Sequence, residues 1–156
     1  LNMKVLNNGI RSVIMENLMS KIFVTNSSKA KLERHSKDRI NAGASPDLSW
    51  CRLVDSTTNV SNGLSAGCLF IPVGGRLPIH THLAQEIYFV KSGSGILIKE
   101  DNQMEIVSAS DVVFIPKGAK HGLKNDGDSV LEIIWIFPTD SWDDVEYKYL
   151  DEEHGA

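Results

Sequence analysis

From Trp50 onward the chain reads as short apolar runs broken by turn residues. Trp50 to Asp55, Leu64 to Val73, Ile79 to His82, Glu86 to Lys91, Gly95 to Glu100, Gln103 to Ser108, Val112 to Ile115, His121 to Lys124 and Val130 to Phe137 are each of strand length. Asn62-Gly63, Gly74-Gly75, Ser92-Gly93, Asp101-Asn102 and Asn125-Asp126-Gly127-Asp128 separate them, and such residues accept the backbone of tight turns. Many short strands at regular spacing predict an all-β sandwich or barrel. Ahead of them the texture differs. Ile10, Val13, Ile14, Leu18 and Ile22 fall at helical spacing. Residues 9–22 are therefore predicted to form an amphipathic helix, its apolar stripe buried on the barrel or against a second subunit. Ile22-Phe23-Val24 is a candidate first strand. Residues 26–47 read as a polar connector in which Ser27-Ser28 offers a cap for one more short helix.

The length of 156 residues suits one domain that buries a core without disulfides or structural zinc. The pattern divides it into a helical and connecting extension (residues 1–47), a barrel (48–140) and an acidic tail (141–156). The net charge of −4 is concentrated at the end. From Asp140 onward the chain carries Asp140, Asp143, Asp144, Glu146, Asp151, Glu152 and Glu153 against a single Lys148, which reads as a solvated segment whose start folds back over the barrel mouth. With no basic stripe interleaved with aromatics, nucleic acid is not an expected partner. Nor is a membrane, for lack of an apolar run of spanning length. Leu1 to Ser20 has no unbroken apolar stretch of the kind a secretion signal needs. Cys51 and Cys68 form no CxxC pair, so a reducing cytoplasm is the expected compartment and buried small side chains their expected role.

Two runs carry chemistry. The first is Gly74-(five residues)-His80-Thr81-His82-(three)-Glu86-(six)-Gly93; the second is Pro116-Lys117-Gly118-(two)-His121-(three)-Asn125. His80 and His82 are two apart, so on a strand they leave the same face. Glu86 has the same parity across a short irregularity at Leu83-Ala84-Gln85, and His121 follows a Pro-x-Gly turn that opens another strand. Three imidazoles and a carboxylate converging in a barrel make a nitrogen/oxygen pocket for one divalent transition metal; iron, manganese, nickel, cobalt and zinc all accept that set. Tyr88 shares the parity of Glu86 and is expected beside it, unless it merely fills the barrel. His35 and His154, in polar segments, read as surface histidines.

These runs resemble the two motifs of the cupin family over roughly residues 50–140. The resemblance implies a single-domain jelly-roll barrel with His80, His82, Glu86 and His121 as metal ligands. Ser110 departs from the pattern, standing where the family's second motif usually opens its turn with glycine. A narrower likeness follows from His80-x-His82-x-x-x-Glu86-Ile87-Tyr88, from Trp135-Ile136-Phe137-Pro138-Thr139-Asp140 and from Val145-Glu146-Tyr147. It resembles the small cupin-type dimethylsulfoniopropionate (DMSP) lyases, which cleave DMSP to dimethyl sulfide and acrylate at a divalent metal. That likeness implies Fe(II) as the leading metal, Tyr88 and Tyr147 as catalytic residues, and a small-molecule substrate. A metal-bound carboxylate would acidify the α proton, and Trp50 and Trp135 are candidate faces for the sulfonium cation. A homodimer is the expected assembly. The alternatives are an iron-dependent dioxygenase, which uses the same ligand set, and a small-molecule-binding cupin without turnover.

Overall fold

A computed structural model describes residues 21–150. Residues 9–20 of the helix expected over 9–22, and the surface role expected of His154, lie outside the described residues, while Lys21 and Ile22 are described and not helical. Among the described residues there are eleven strands: β1 (Glu33–Arg34), β2 (Ser49–Val54), β3 (Ser65–Ile71), β4 (Arg76–Thr81), β5 (Glu86–Ser92), β6 (Ser94–Ile98), β7 (Met104–Ser108), β8 (Val112–Ile115), β9 (His121–Lys124), β10 (Leu131–Phe137) and β11 (Lys148–Tyr149). One short helix, α1 (Lys37–Asn41), lies between β1 and β2. The strands form two sheets, ordered β1-β2-β3-β10-β5-β8 and β11-β4-β9-β6-β7. Every pairing is antiparallel. This is the all-β jelly-roll architecture expected from the strand pattern.

The alternation of side chains explains where the core lies. In β10, Leu131, Ile133, Trp135 and Phe137 are buried while Glu132, Ile134 and Ile136 lie outward. Leu69 and Ile71 of β3, Val90 of β5, Leu97 of β6, Val107 of β7 and Leu123 of β9 close the same core from the other strands. Burial at roughly 25 cal/mol per Å² of apolar surface makes this layer the main stabilising term. Trp135 sits opposite Gly67, and a Cβ there would lie 2.2 Å from the indole. Only glycine leaves room for that ring. Cys51 and Cys68 face each other across β2 and β3, buried and unlinked.

Ahead of the barrel the local details differ from expectation. Ile22, Phe23 and Val24 form no strand. The short helix begins not after Ser27-Ser28 but after Ser36, whose hydroxyl accepts from Arg39 N. Ser28 instead donates, from its N–H, to the Asn26 side chain in a turn. A serine caps whichever helix tertiary packing selects, so a pair of serines alone does not fix the site.

The start of the acidic tail is structural rather than solvated. Ser141, Trp142 and Val145 are buried. Trp142–Asp144 makes one 3-10 turn with a capping box between Ser141 and Asp144. Asp143 meets Arg52 at 2.8 and 3.0 Å, and Arg52 also holds Glu33 at 2.9 Å. The chain then adds β11 to the edge of the five-stranded sheet, pairing with β4 through Lys148↔Thr81 and Tyr149↔His80.

Candidate metal centre

The centre is assembled by three strand ends. His80 lies in β4 and His82 one residue beyond that strand, so the expected strand stops short of it. Glu86 opens β5, after the bend at Leu83 and Ala84. His121 opens β9 and stands opposite His80 in the ladder. The Pro-Lys-Gly turn ahead of it is tied to the first motif by Gly118 N donating to His82 O at 2.9 Å. The ligating atoms offered by His80, His82 and His121 lie within 4.8 Å of one another. All four side chains are buried, His80 completely.

Each imidazole is oriented by a backbone carbonyl. Nδ1 of His80 lies 2.8 Å from Pro78 O, that of His82 2.7 Å from Ala84 O, and that of His121 2.9 Å from Ala119 O. A carbonyl only accepts, so Nδ1 carries the hydrogen and Nε2 presents its lone pair inward on each neutral ring. Nε2 of His80 and of His121 finds no hydrogen-bond partner although buried. Glu86 Oε2 stands 3.1 Å from His82 Nε2 and 3.5 Å from His121 Nε2. Lone pairs and a carboxylate oxygen gathered out of water are an arrangement suited to holding a cation. Burial, then the neighbouring His121, holds His80 well below the usual imidazole range, so proton uptake is a poor substitute for a metal ion at that ring. The donor set fits a divalent ion.

Tyr88 lies beside this group, 1% exposed, as its parity predicts. Its ring centroid is 6.0 Å from that of His121. Tyr147 stacks on His80 at 4.7 Å and accepts from Trp142 Nε1 at 3.1 Å. Burial first and the Glu86 charge second push both phenols well above their ordinary pKa of 10. Trp50 and Trp135 are buried and line a small cavity of about 30 Å³ together with Glu86, Tyr88 and Tyr147.

The same cavity has walls that the sequence did not announce. His35, expected at the surface, is instead partly buried with its ring 4.5 Å from Trp50. Burial, then the nearby Arg39 charge, lowers its pKa to about 4. Trp142 and Tyr149 complete the wall. Tyr149 had a signal: it is two residues from Tyr147, so a strand through one brings the other to the same side. His35 had none, because its flanking residues are polar and carry no periodicity.

Barrel and site together define a class, and comparison agrees. Residues 69–137 match the family model described as Cupin domain, so the chain resembles that family over this stretch. Over 75 residues it is 29% identical to dimethylsulfoniopropionate lyase DddQ of Ruegeria pomeroyi, a match covering 48% of this chain and 37% of that protein. Over 68 residues it is 31% identical to an oxalate-binding protein of Thermotoga maritima, covering 42% and 54% respectively. Both matches thus span well under two thirds of the relative's length. Among solved structures, the polyketide cyclase RemF of Streptomyces resistomycificus superimposes with a TM-score of 0.70 at 18% identity, covering 86% of this chain and 89% of that one. That likeness shows the fold. Among the described residues no helix is long and apolar enough to cross a membrane.

Proposed function

We propose that this protein is a metal-dependent carbon–sulfur lyase that cleaves DMSP to dimethyl sulfide and acrylate by β-elimination. The observation that carries this reading is the pair of phenols against the histidine cluster, Tyr88 from the ligand-bearing strand and Tyr147 stacked on His80 at 4.7 Å. The likeness to DddQ supports it. The same reading takes in Fe(II) as the resident ion, a cytoplasmic location and a homodimer.

The elimination takes a proton from the carbon next to the carboxylate, forms the carbon–carbon double bond, and breaks the carbon–sulfur bond with its electron pair leaving on sulfur. Dimethyl sulfide departs neutral, so the pocket needs a base and no acid. A divalent ion held by His80, His82, Glu86 and His121 would supply positive charge that neutralises Glu86 and favours negative charge on nearby oxygens. Tyr88 Oη is the proposed base. Burial is the first reason its phenol resists ionising and Glu86 the second, so neutralising Glu86 eases the second. Tyr147 orients the substrate and, with β11, shuts out water. The aromatic faces of Trp50 and Trp135 hold the sulfonium before it leaves, an attraction of about 0.5–2 kcal/mol.

The test is headspace detection of dimethyl sulfide from the metal-loaded protein under saturating DMSP. The parent releases it, and His121→Ala, which loses its metal, does not. Tyr88→Phe keeps the ring and the metal but drops turnover by roughly 10²-fold or more, with little change in substrate affinity. Tyr147→Phe costs less. Silence from the parent with every candidate ion rejects the lyase; parental turnover in Tyr88→Phe rejects the base.

A further inference from the structure

A second cavity ends on the histidine cluster. It has a volume of about 130 Å³ and is walled by Leu97 of β6, Val113 and Ile115 of β8, Ala119 of the turn before β9, and His121 itself. Leu97, Ile115 and His121 are buried, whereas Glu100 and Pro116, which also line it, are exposed. The cavity therefore runs from the surface to an imidazole of the metal centre. It shares no residue with the cavity of Glu86, Tyr88, Tyr147 and the two tryptophans. The two approach each other across His121. Glu86 Oε2 stands 3.5 Å from His121 Nε2, and the Tyr88 ring lies 6.0 Å from the His121 ring. Tyr88 and Val113, one from each cavity, are partners in the β5–β8 ladder.

The polar side chains around this second cavity are committed elsewhere. Lys99 Nζ donates to Glu105 Oε2 at 2.8 Å and Lys120 Nζ to Asn102 Oδ1 at 3.2 Å. Neither acceptor lines the cavity, so the two lysines give it their aliphatic stems rather than their charges. Glu100 stays in water at the rim. His121 commits Nδ1 to Ala119 O at 2.9 Å and has Nε2 on the Glu86 side, which leaves ring carbon for the wall. A water inside would find too few partners. An apolar cavity of about 150 Å³ lined by aliphatic and aromatic side chains takes benzene or xenon instead. The two cavities are thus chemical opposites. One offers a carboxylate, two phenols and indole faces, which suit a cation; the other offers hydrocarbon, which suits a neutral guest.

We infer that the cavity between Leu97, Val113, Ile115, Ala119 and His121 is a binding site for a small uncharged apolar molecule of thioether size. Its place in the reaction rests on the lyase reading; its existence as a binding site does not. In that reading, cleavage turns a sulfonium held by indole faces into a neutral thioether, and the cation–π attraction ends with the charge. The hydrocarbon cavity on the other side of His121 then takes the product in preference to the aromatic one.

The experiment is a methyl-detected NMR titration of the full chain loaded with zinc, which is diamagnetic. Dimethyl sulfide should shift the methyls of Leu97, Val113, Ile115 and Ala119 saturably, with a Kd of about 1 mM, near the best that three non-hydrogen atoms achieve. Xenon should shift the same methyls. Trimethylsulfonium and propionate, small ions of opposite charge, should not. Ala119→Leu and Val113→Phe fill the space from a turn and from a strand. Each should keep its zinc and its folded spectrum and weaken dimethyl sulfide by about 10-fold or more. The inference is overturned if dimethyl sulfide shifts none of these methyls, if either ion shifts them equally, if xenon binds and dimethyl sulfide does not, or if a folded, zinc-loaded variant binds like the parent. The parent titrations decide even where a variant fails to fold. None of these readouts uses turnover, so the cavity can fail while the lyase stands, or stand while the lyase fails.

Discussion

Ser110 occupies the left-handed region at φ 80, where an L side chain is strained. Its N–H still donates to Val90 O at 2.8 Å, so the turn forms as it would around glycine. That explains why the departure from the second motif changes neither fold nor site. Holding an L residue there costs about 1–2 kcal/mol, of which glycine's greater freedom in the unfolded chain would cancel roughly 0.5–1 kcal/mol. Ser110→Gly should therefore stabilise the protein by about 0.5–1 kcal/mol, read as a higher urea midpoint with an unchanged slope. An unchanged or lower midpoint would mean the strain is relieved elsewhere. At this scale the histidines, Glu86 and Tyr88 were legible because strand parity is a local property: alternate residues share a face whatever the strand packs on. Arg39 and His35 were not, since a connector's side chains acquire neighbours only when the whole chain has folded.

At the scale of elements, β2 to β10 were legible to within a few residues, and the ends of β8 and β9 coincide with expectation, whereas the two-residue β1 and β11 were not foreseen. Turn residues punctuate a strand irrespective of context. The tail's return toward the barrel was expected but its burial was not, because acidic composition alone does not reveal a buried acceptor elsewhere. That acceptor is Asp55, fully buried at the end of β2. It takes hydrogen bonds from Thr57 N at 2.9 Å and Thr57 Oγ1 at 2.6 Å, and from the tail through Ser141 Oγ at 3.1 Å and Trp142 N at 3.0 Å. Burial alone would raise its pKa, but the donors outweigh it and the net shift is downward. A carboxylate with a lowered folded pKa contributes stability that is present above the unfolded value of about 4 and lost as pH falls through the folded one. Asp55→Asn keeps the shape but turns an amide donor toward donors. It should cost roughly 3–5 kcal/mol, and hydrogen exchange should show residues 141–150 losing protection first. Acidifying the parent below pH 4 should loosen the same segment. Equal protection of that segment in parent and variant would show that Asp55 does not anchor the tail.

For the whole molecule, the jelly roll leaves one face unfinished. The inner faces of both sheets are filled, yet the outer face of the six-stranded sheet pairs Ile87 with Phe114 and Phe89 with Val112. These four are 38, 60, 40 and 65% exposed, and β8 is the edge strand of that sheet. Ile134 and Ile136 continue the apolar rows on β10. A contiguous apolar patch at a sheet edge is a site of association more often than a bare surface. A two-fold pairing would bury it with the fewest distinct contacts. The helical spacing of Ile10, Val13, Ile14 and Leu18 in the sequence is the separate reason residues 1–20 are expected at such an interface. The proposed homodimer thus predicts about twice the chain mass by light scattering at micromolar concentration. Phe114→Lys should shift the protein toward monomer, because a charge placed on the patch must be desolvated for the subunits to meet. Removing residues 1–20 should weaken the dimer independently. A monomeric mass for the intact chain would refute the assembly while leaving the metal centre untouched, since every side chain assigned to that centre comes from one barrel.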